Sequence, residues 1–184
     1  MSPDEILLAD LAALSGDPYR FVLFAFPWDE EGALKDRTGP EPWQADLLKA
    51  IRDGLLTPAS AIRQATTSGN GVGKSTVVSW IILWAMSTFE DTKGVITANT
   101  ETQLKTKTWA ELGKWFHLFI AQHLFRLTAT AIFSRDPEHE RTWRADMIPW
   151  SEHNVVAFQG LHNEGKRLFM IFDEASGIPD GIWE

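Results

Sequence analysis

The sequence predicts an α/β fold in which a mainly parallel sheet is flanked by helices. Three observations indicate this class. Apolar runs of strand length alternate with longer segments of helical periodicity, a glycine-rich stretch follows one of the short runs, and another short run ends in two acids. Strands separated by helices favour parallel pairing, because a parallel crossover needs a connection of a dozen or more residues.

The first part of the chain is predicted to be helical. Apolar spacing predicts a helix over 3–14, a second one from Pro18 to Pro27 with Asp17 as its N-cap, and a third over 41–53 with Gly54 as its stop. The polar stretch 29–42 contains two glycines and two prolines and predicts a loop.

The remainder is predicted to alternate between strands and helices. A β-prone run over 61–67 leads into the glycine-rich stretch, and the apolar run VVSWIILWAM after it predicts a buried helix. We then expect strands over 94–98, 128–134, 142–150, 154–160 and 168–172, a long helix over 101–125 and a turn over 161–166. The whole chain is interpreted as a single domain over 1–184, with an N-terminal helical segment (1–57) and a core (58–184).

Composition narrows the class of protein. The formal net charge of −8 argues against a stable, charge-driven nucleic-acid binder, although transient strand handling in one groove stays open. The absence of cysteine excludes disulfides and cysteine-based zinc sites, and the five histidines show no close metal-ligand spacing. The acidic N-terminus is unlike a signal peptide, and the longest apolar run, 77–86, is too short to cross a bilayer. No membrane association is expected.

The glycine-rich stretch SGNGVGKST predicts a phosphate-binding loop, or P-loop. Glycines at alternate positions allow positive φ and turn backbone N–H groups toward phosphate oxygens, and the following helix N-terminus adds further donors. Lys74 would reach the β- and γ-phosphates, and Ser75 would hold Mg²⁺. The candidate nucleotide-binding residues here are Ser68, Gly69, Asn70, Gly71, Val72, Gly73, Lys74, Ser75 and Thr76. The strict motif has glycine where this chain has Ser68, and a glycine-rich turn capping an ordinary helix is the alternative.

The acids after the last apolar run complete the candidate catalytic set. Asp173 stands at the predicted strand's C-terminal end, where open α/β sheets bind ligands, and is placed to hold Mg²⁺. Glu174 would accept a proton from the attacking water. A strand end with two solvated acids is the alternative. Together with Lys74 these residues predict an ATPase that uses ATP and Mg²⁺.

Four stretches resemble one protein family, the large subunit of tailed-bacteriophage terminases. They are EPWQADLLKAI, SGNGVGKSTVVSWIILWAMST, VITANTETQLKTKTW and AFQGLHNEGKRLFMIFDEASGIPDGIWE, and the resemblance extends from about Trp43 to Glu184. It implies a P-loop NTPase with an ASCE, helicase-like core. Lys74 and Ser75 match the Walker A positions, and Asp173 and Glu174 match the Walker B acid and the catalytic base.

The resemblance also implies a function and partners. The family uses ATP to drive double-stranded viral DNA through a portal into a procapsid in the bacterial cytoplasm. The implied partners are that DNA, bound transiently, the portal protein, the small terminase subunit and further copies of the chain on the portal. Gln44 matches a glutamine that reads adenine, and Trp43 beside it is either a base-stacking or a core residue. A helicase-type strand contact is matched by Thr100, Gln103, Lys105 and Lys107, for which a solvated helix start is the alternative.

Several family features are not found. The sequence ends soon after the Walker B acids, before the family's coupling motif and its nuclease domain, so we expect either the front part of a larger protein or a shortened relative, in both cases without nuclease activity in this chain. An arginine finger would come from elsewhere, with Arg135, Arg141 and Arg144 as weak candidates. Two other interpretations remain: a helicase-like DNA-dependent ATPase, and a non-catalytic nucleotide-binding piece for docking or assembly.

Overall fold

The computed structural model describes residues 2–57, 61–66, 71, 73–98, 100–149 and 165–173. Four helices come first: α1 (Pro3–Ala13), α2 (Pro18–Ala25), α3 (Pro42–Leu55) and α4 (Lys74–Ser87). Strand β1 (Lys93–Ala98) leads into α5 (Glu101–Gln103), a π-helical segment (Leu104–Trp109) and α6 (Ala110–Leu118). A 3₁₀ turn (Gln122–Leu124) precedes strands β2 (Phe125–Leu127), β3 (Ala131–Ser134), β4 (Arg144–Met147) and β5 (Leu168–Asp173).

The N-terminal helices begin where their capping residues predict. Ser2 and Glu5 form a reciprocal capping box at the start of α1. The Asp17 side chain accepts a hydrogen bond from the Arg20 backbone N–H at 3.0 Å, which confirms the predicted cap of α2. Helix α3 includes Gly54 and ends at Leu55, so Gly54 is not its stop.

The five described strands form one mixed sheet in the order β2-β3-β4-β1-β5. Strand β1 runs parallel to β4 and β5, while β3 is antiparallel to β2 and β4. The α/β class is therefore confirmed, and the parallel pairing is concentrated in the β4-β1-β5 half. In the register of that half, Ala98 lies opposite Asp173 and Thr97 opposite Phe172.

Alternate residues of the parallel strands join the hydrophobic core with α4 and α6. Ile96 and Ala98 of β1 are fully buried in the same cluster as Leu83 of α4 and Leu112 of α6. At Gly94 a Cβ atom would lie 2.2 Å from the ring of Phe169, its partner on β5, so a side chain here would force this ring to move. Among the described residues, no helix combines the length and the apolar character needed to cross a membrane.

Two sequence predictions about elements are wrong. Residues 61–66 form no strand, because this run is rich in alanine and polar residues and no described strand lies beside it. The helix predicted over 101–125 ends at Leu118. Phe119 leaves the helix with an extended backbone and is buried beside Phe21, so its apolar spacing reflects the core and not a helix face. The predicted strand over 154–160 and most of the turn over 161–166 lie outside the described residues.

Arg167 joins three parts of the fold just before β5. Its guanidinium donates hydrogen bonds to the Thr88 hydroxyl and to the Ser15 carbonyl, both at 2.7 Å. It also lies over the Trp84 ring, 4.3 Å from the centroid. Burial lowers the pKa of Arg167 to about 10, so the side chain stays charged at neutral pH.

We expect Arg167→Ala to lower the free energy of unfolding by about 2–3 kcal/mol, because two charge-assisted hydrogen bonds and a cation–π contact are lost while a desolvation cost is relieved. Urea denaturation followed by circular dichroism measures this. Lys166→Ala is the matched control, since Lys166 is partly exposed and its ion pair with Asp91 spans 3.5 Å. An equal decrease in the free energy of unfolding for both variants would show that Arg167 contributes no more to stability than an exposed charge does.

Candidate nucleotide-binding site

The end of the glycine-rich stretch and the start of α4 form one wall of the candidate site. Gly71 and Gly73 adopt positive φ values of 78° and 88°. Lys74 is the first residue of α4, and a helix start provides backbone N–H groups and a partial positive charge. The predicted loop residues Ser68, Gly69, Asn70 and Val72 lie outside the described residues.

Gln44 connects α3 to this loop. Its Oε1 accepts a hydrogen bond from the Glu41 N–H at 2.9 Å, and its Nε2 donates to the Gly73 carbonyl at 3.2 Å. A Cβ atom on Gly73 would lie 2.7 Å from Nε2, so this approach requires glycine. An amide has two hydrogens and two lone pairs, which leaves Gln44 one further donor and one further acceptor. The side chain therefore supports the loop and keeps the atoms needed to read a base.

A cavity of about 480 Å³ opens beside the loop. Its lining includes Gln44, Gly73, Thr76, Glu111 and Trp80. Trp80 is only 2% exposed, and within the described part of the chain its indole N–H finds no hydrogen-bond acceptor. A buried donor without a partner is costly to the fold, and this nitrogen has almost no accessible surface of its own.

Glu111 places a carboxylate in the same cavity. Its Oε1 accepts from the Thr76 hydroxyl at 2.8 Å and from the Trp115 indole at 3.1 Å. Burial acts to raise the pKa of Glu111, but hydrogen bonds from Lys114 and these two donors outweigh it and lower that pKa. The carboxylate is therefore charged at neutral pH and fixes α6 to the start of α4. Its partner Thr76 is 35 residues away, so spacing in the sequence could not predict the contact.

Asp173 ends β5 and is held by Thr108 of the π-helical segment. The Thr108 hydroxyl donates to Asp173 Oδ2, and Thr108 is fully buried. Thr108 and Glu111 are three residues apart on one continuous helical run, and residues at this spacing are neighbours on a helix surface. One helix thus contacts both predicted halves of the site, at Thr76 and at Asp173. Glu174 lies outside the described residues.

The donor atoms in this region suit a hard divalent cation. Asp173 offers a half-buried carboxylate and Ser75 a half-buried hydroxyl, and magnesium prefers oxygen ligands of this kind. A ligating carboxylate is normally oriented by a hydrogen bond from a second residue, as Thr108 provides here. The residues present therefore fit the predicted Mg²⁺.

Lys74, Ser75 and Asp173 do not line this cavity, and other predicted site residues lie outside it as well. Trp43 packs against the hydrophobic core, which favours the core interpretation over base stacking. Thr100 caps α5, and exposed Lys105 pairs with Glu101 at 2.5 Å. Of the arginine-finger candidates, Arg144 pairs with Asp146 and Arg135 donates to the Phe125 carbonyl, while Arg141 is exposed.

One cluster outside the site contains a histidine that spacing did not single out. His139 Nδ1 lies 2.7 Å from Asp91 Oδ1, and Nε2 lies 3.5 Å from Glu90. The hydrogen bond with Asp91 raises the pKa of His139 and lowers that of Asp91. Thr142 and Lys166 also contact Asp91, so the cluster ties the β3–β4 connection to the loop before β1.

Comparison with known proteins finds similarity in structure but none in sequence. No family model matches the chain, and neither does any curated protein sequence. The fold is similar to the crystal structure of the HK97 bacteriophage large terminase, with a TM-score of 0.60 and 14% sequence identity over 86% of this chain. The likeness covers 37% of that terminase, and at this identity it shows the fold alone. A terminase-like fold agrees with the family resemblance in the sequence.

The position of Gln44 leads to a prediction about base preference. Gln44→Ala removes a support of Gly73 and should weaken the binding of ATP and GTP alike by several-fold, the effect of one hydrogen bond. If Gln44 also reads adenine, the affinity for ATP falls more than the affinity for GTP, and the difference between the two affinities narrows. Isothermal titration calorimetry with both nucleotides measures this. Equal losses for the two would show that Gln44 only supports the loop.

Proposed function

We propose that the chain is the ATPase segment of a viral DNA-packaging terminase large subunit, which binds MgATP and hydrolyses it. One observation carries the proposal. A single helical run contacts the start of α4 through Glu111 and the end of β5 through Thr108, which supports a common site for the predicted phosphate-binding and magnesium-binding elements. A P-loop ATPase needs both elements at the same nucleotide.

The chain's own residues have separate roles in this proposal. The N–H groups of the loop and of the α4 start bind the phosphates, and Lys74 adds a positive charge at the β- and γ-phosphates. Ser75 and Asp173 hold Mg²⁺, which when bound neutralises charge on the phosphate oxygens. Glu174 takes a proton from the attacking water. The cavity lined by Gln44 and Trp80 receives the nucleoside part.

The terminase part of the proposal is supported by the fold. The similarity to a phage large terminase agrees with the sequence resemblance in the Walker A and Walker B stretches. Double-stranded DNA, a portal protein and a small terminase subunit are the proposed partners, and several copies would act together on a portal in the host cytoplasm. Thr100, Gln103 and the exposed Lys105 and Lys107 are the proposed DNA contacts.

The decisive experiment measures nucleotide binding and turnover by the purified chain. Calorimetry with ATP and MgCl₂ tests binding, and phosphate release with and without linear double-stranded DNA tests the ATPase. We expect ATP binding that requires Mg²⁺ for full affinity, and turnover that DNA increases. Binding without turnover under any condition would favour the nucleotide-binding assembly piece. Turnover stimulated only by single-stranded DNA would favour a helicase-like ATPase, and no binding would refute the proposal.

A further inference from the structure

Thr108 occupies a position that the sequence did not connect with the nucleotide site. It lies in the π-helical segment Leu104–Trp109, 65 residues before Asp173, and its hydroxyl donates to the carboxylate of that acid. π-helical turns are uncommon in proteins, but a large share of them lie at functional sites. Such a turn displaces one side chain from the regular helical spacing. The displaced hydroxyl here meets the end of β5.

The contact fixes one oxygen of a candidate metal ligand. Thr108 donates a hydrogen bond to Asp173 Oδ2. Thr108 has no exposed surface, so water does not replace it easily. With Oδ2 engaged, rotation of the carboxylate is restrained, and Oδ1 is the oxygen that would bind a metal ion.

We infer that Thr108 is a positioning residue for the magnesium ligand Asp173. This inference rests on the proposed function, since it concerns the same site. Hydrogen bonds to a ligating carboxylate typically account for 10–100-fold in metal affinity. Thr108 does not touch nucleotide or metal in this role, so its effect is confined to the magnesium-dependent part of binding.

The neighbouring strand provides a matched control. Thr97 of β1 is also fully buried, and its hydroxyl has no hydrogen-bond partner among the described residues. Thr97 lies opposite Phe172, whereas Ala98 lies opposite Asp173, so the Thr97 side chain is on the other face of the sheet from the acid. Thr97→Val therefore removes a buried hydroxyl near the site without removing a contact to Asp173.

The test compares ATP binding by calorimetry in MgCl₂ and in EDTA for the full chain and for Thr108→Val and Thr97→Val. We expect Thr108→Val to raise the MgCl₂ concentration needed for half-maximal enhancement of ATP binding by about 10–100-fold. Its affinity for ATP in EDTA should equal that of the unchanged chain. Thr97→Val should match the unchanged chain in both conditions.

A second pair of variants covers the case in which Thr108→Val does not fold. Thr108→Ser and Thr108→Ala differ only by the hydroxyl, and only the serine variant should retain the normal magnesium dependence. The inference is wrong if Thr108→Ser and Thr108→Ala show the same magnesium dependence of ATP binding. It is also wrong if Thr108→Val shows the same magnesium dependence as the unchanged chain. In either case Thr108 is only a packing residue. If the unchanged chain does not bind ATP at all, the proposed function itself fails, which is a distinct result.

Discussion

Replacing Lys74 by alanine is expected to lower ATP affinity by about 100-fold. In the proposed site its ammonium group contacts the β- and γ-phosphates. Two charge-assisted hydrogen bonds at about 1.5 kcal/mol each, the lower end of their range, correspond to that factor. The N–H groups at the start of α4 remain, so weak binding should survive.

Calorimetry of MgATP binding measures this loss, and Lys49→Ala is its control. Lys49 belongs to α3 and lies over the Tyr19 ring at 4.7 Å, away from the glycine-rich loop in the sequence, and its removal changes the net charge by the same amount. We expect Lys49→Ala to bind ATP normally. Equal ATP affinity for Lys74→Ala and the unchanged chain would refute the P-loop assignment, because no other predicted residue supplies a cation to the phosphates.

The elements that the sequence predicted correctly are those with local determinants. The capping residue Asp17 sets the start of α2, and the apolar runs of α4 and β5 are long enough to show their type. Where the local preference was weak, tertiary contacts determined the secondary structure. Residues 61–66 contain few strand-forming side chains and have no described neighbour to pair with.

The candidate site was predicted only in part, for a related reason. The glycine-rich stretch and Asp173 form recognisable local patterns, but Thr108 and Glu111 become relevant only through contacts across 65 and 35 residues. A threonine in a helix has no local feature that predicts such a contact. The π-helical segment was also missed, because its residues have ordinary helix preferences and its widened turn depends on packing.

The largest expected effect concerns the two acids that follow one another at the end of β5. Glu174→Gln keeps the size of the side chain and removes its ability to take a proton from water. We expect MgATP affinity to change little and the single-turnover rate of hydrolysis to fall by about 10²–10⁴-fold, the usual contribution of a general base.

Asp173→Asn is the paired variant and should behave differently. The asparagine can still accept a hydrogen bond from Thr108, but it is a poor magnesium ligand because it has lost its charge. We therefore expect ATP binding in EDTA to be unchanged and the enhancement by MgCl₂ to be lost. Successive residues of an extended chain point to opposite sides, which allows two neighbouring acids to serve two different atoms.

The two variants together test the division of roles. One result would reverse the roles. Glu174→Gln would hydrolyse ATP at the normal rate, while Asp173→Asn would be inactive and still bind ATP more tightly in MgCl₂. Asp173 would then be the base. If both variants bind MgATP and turn it over as the unchanged chain does, neither Asp173 nor Glu174 has a role in nucleotide binding or hydrolysis. The proposal of a motor ATPase would then fail because its magnesium ligand and its base are not the predicted acids, even if Lys74→Ala supports the P-loop.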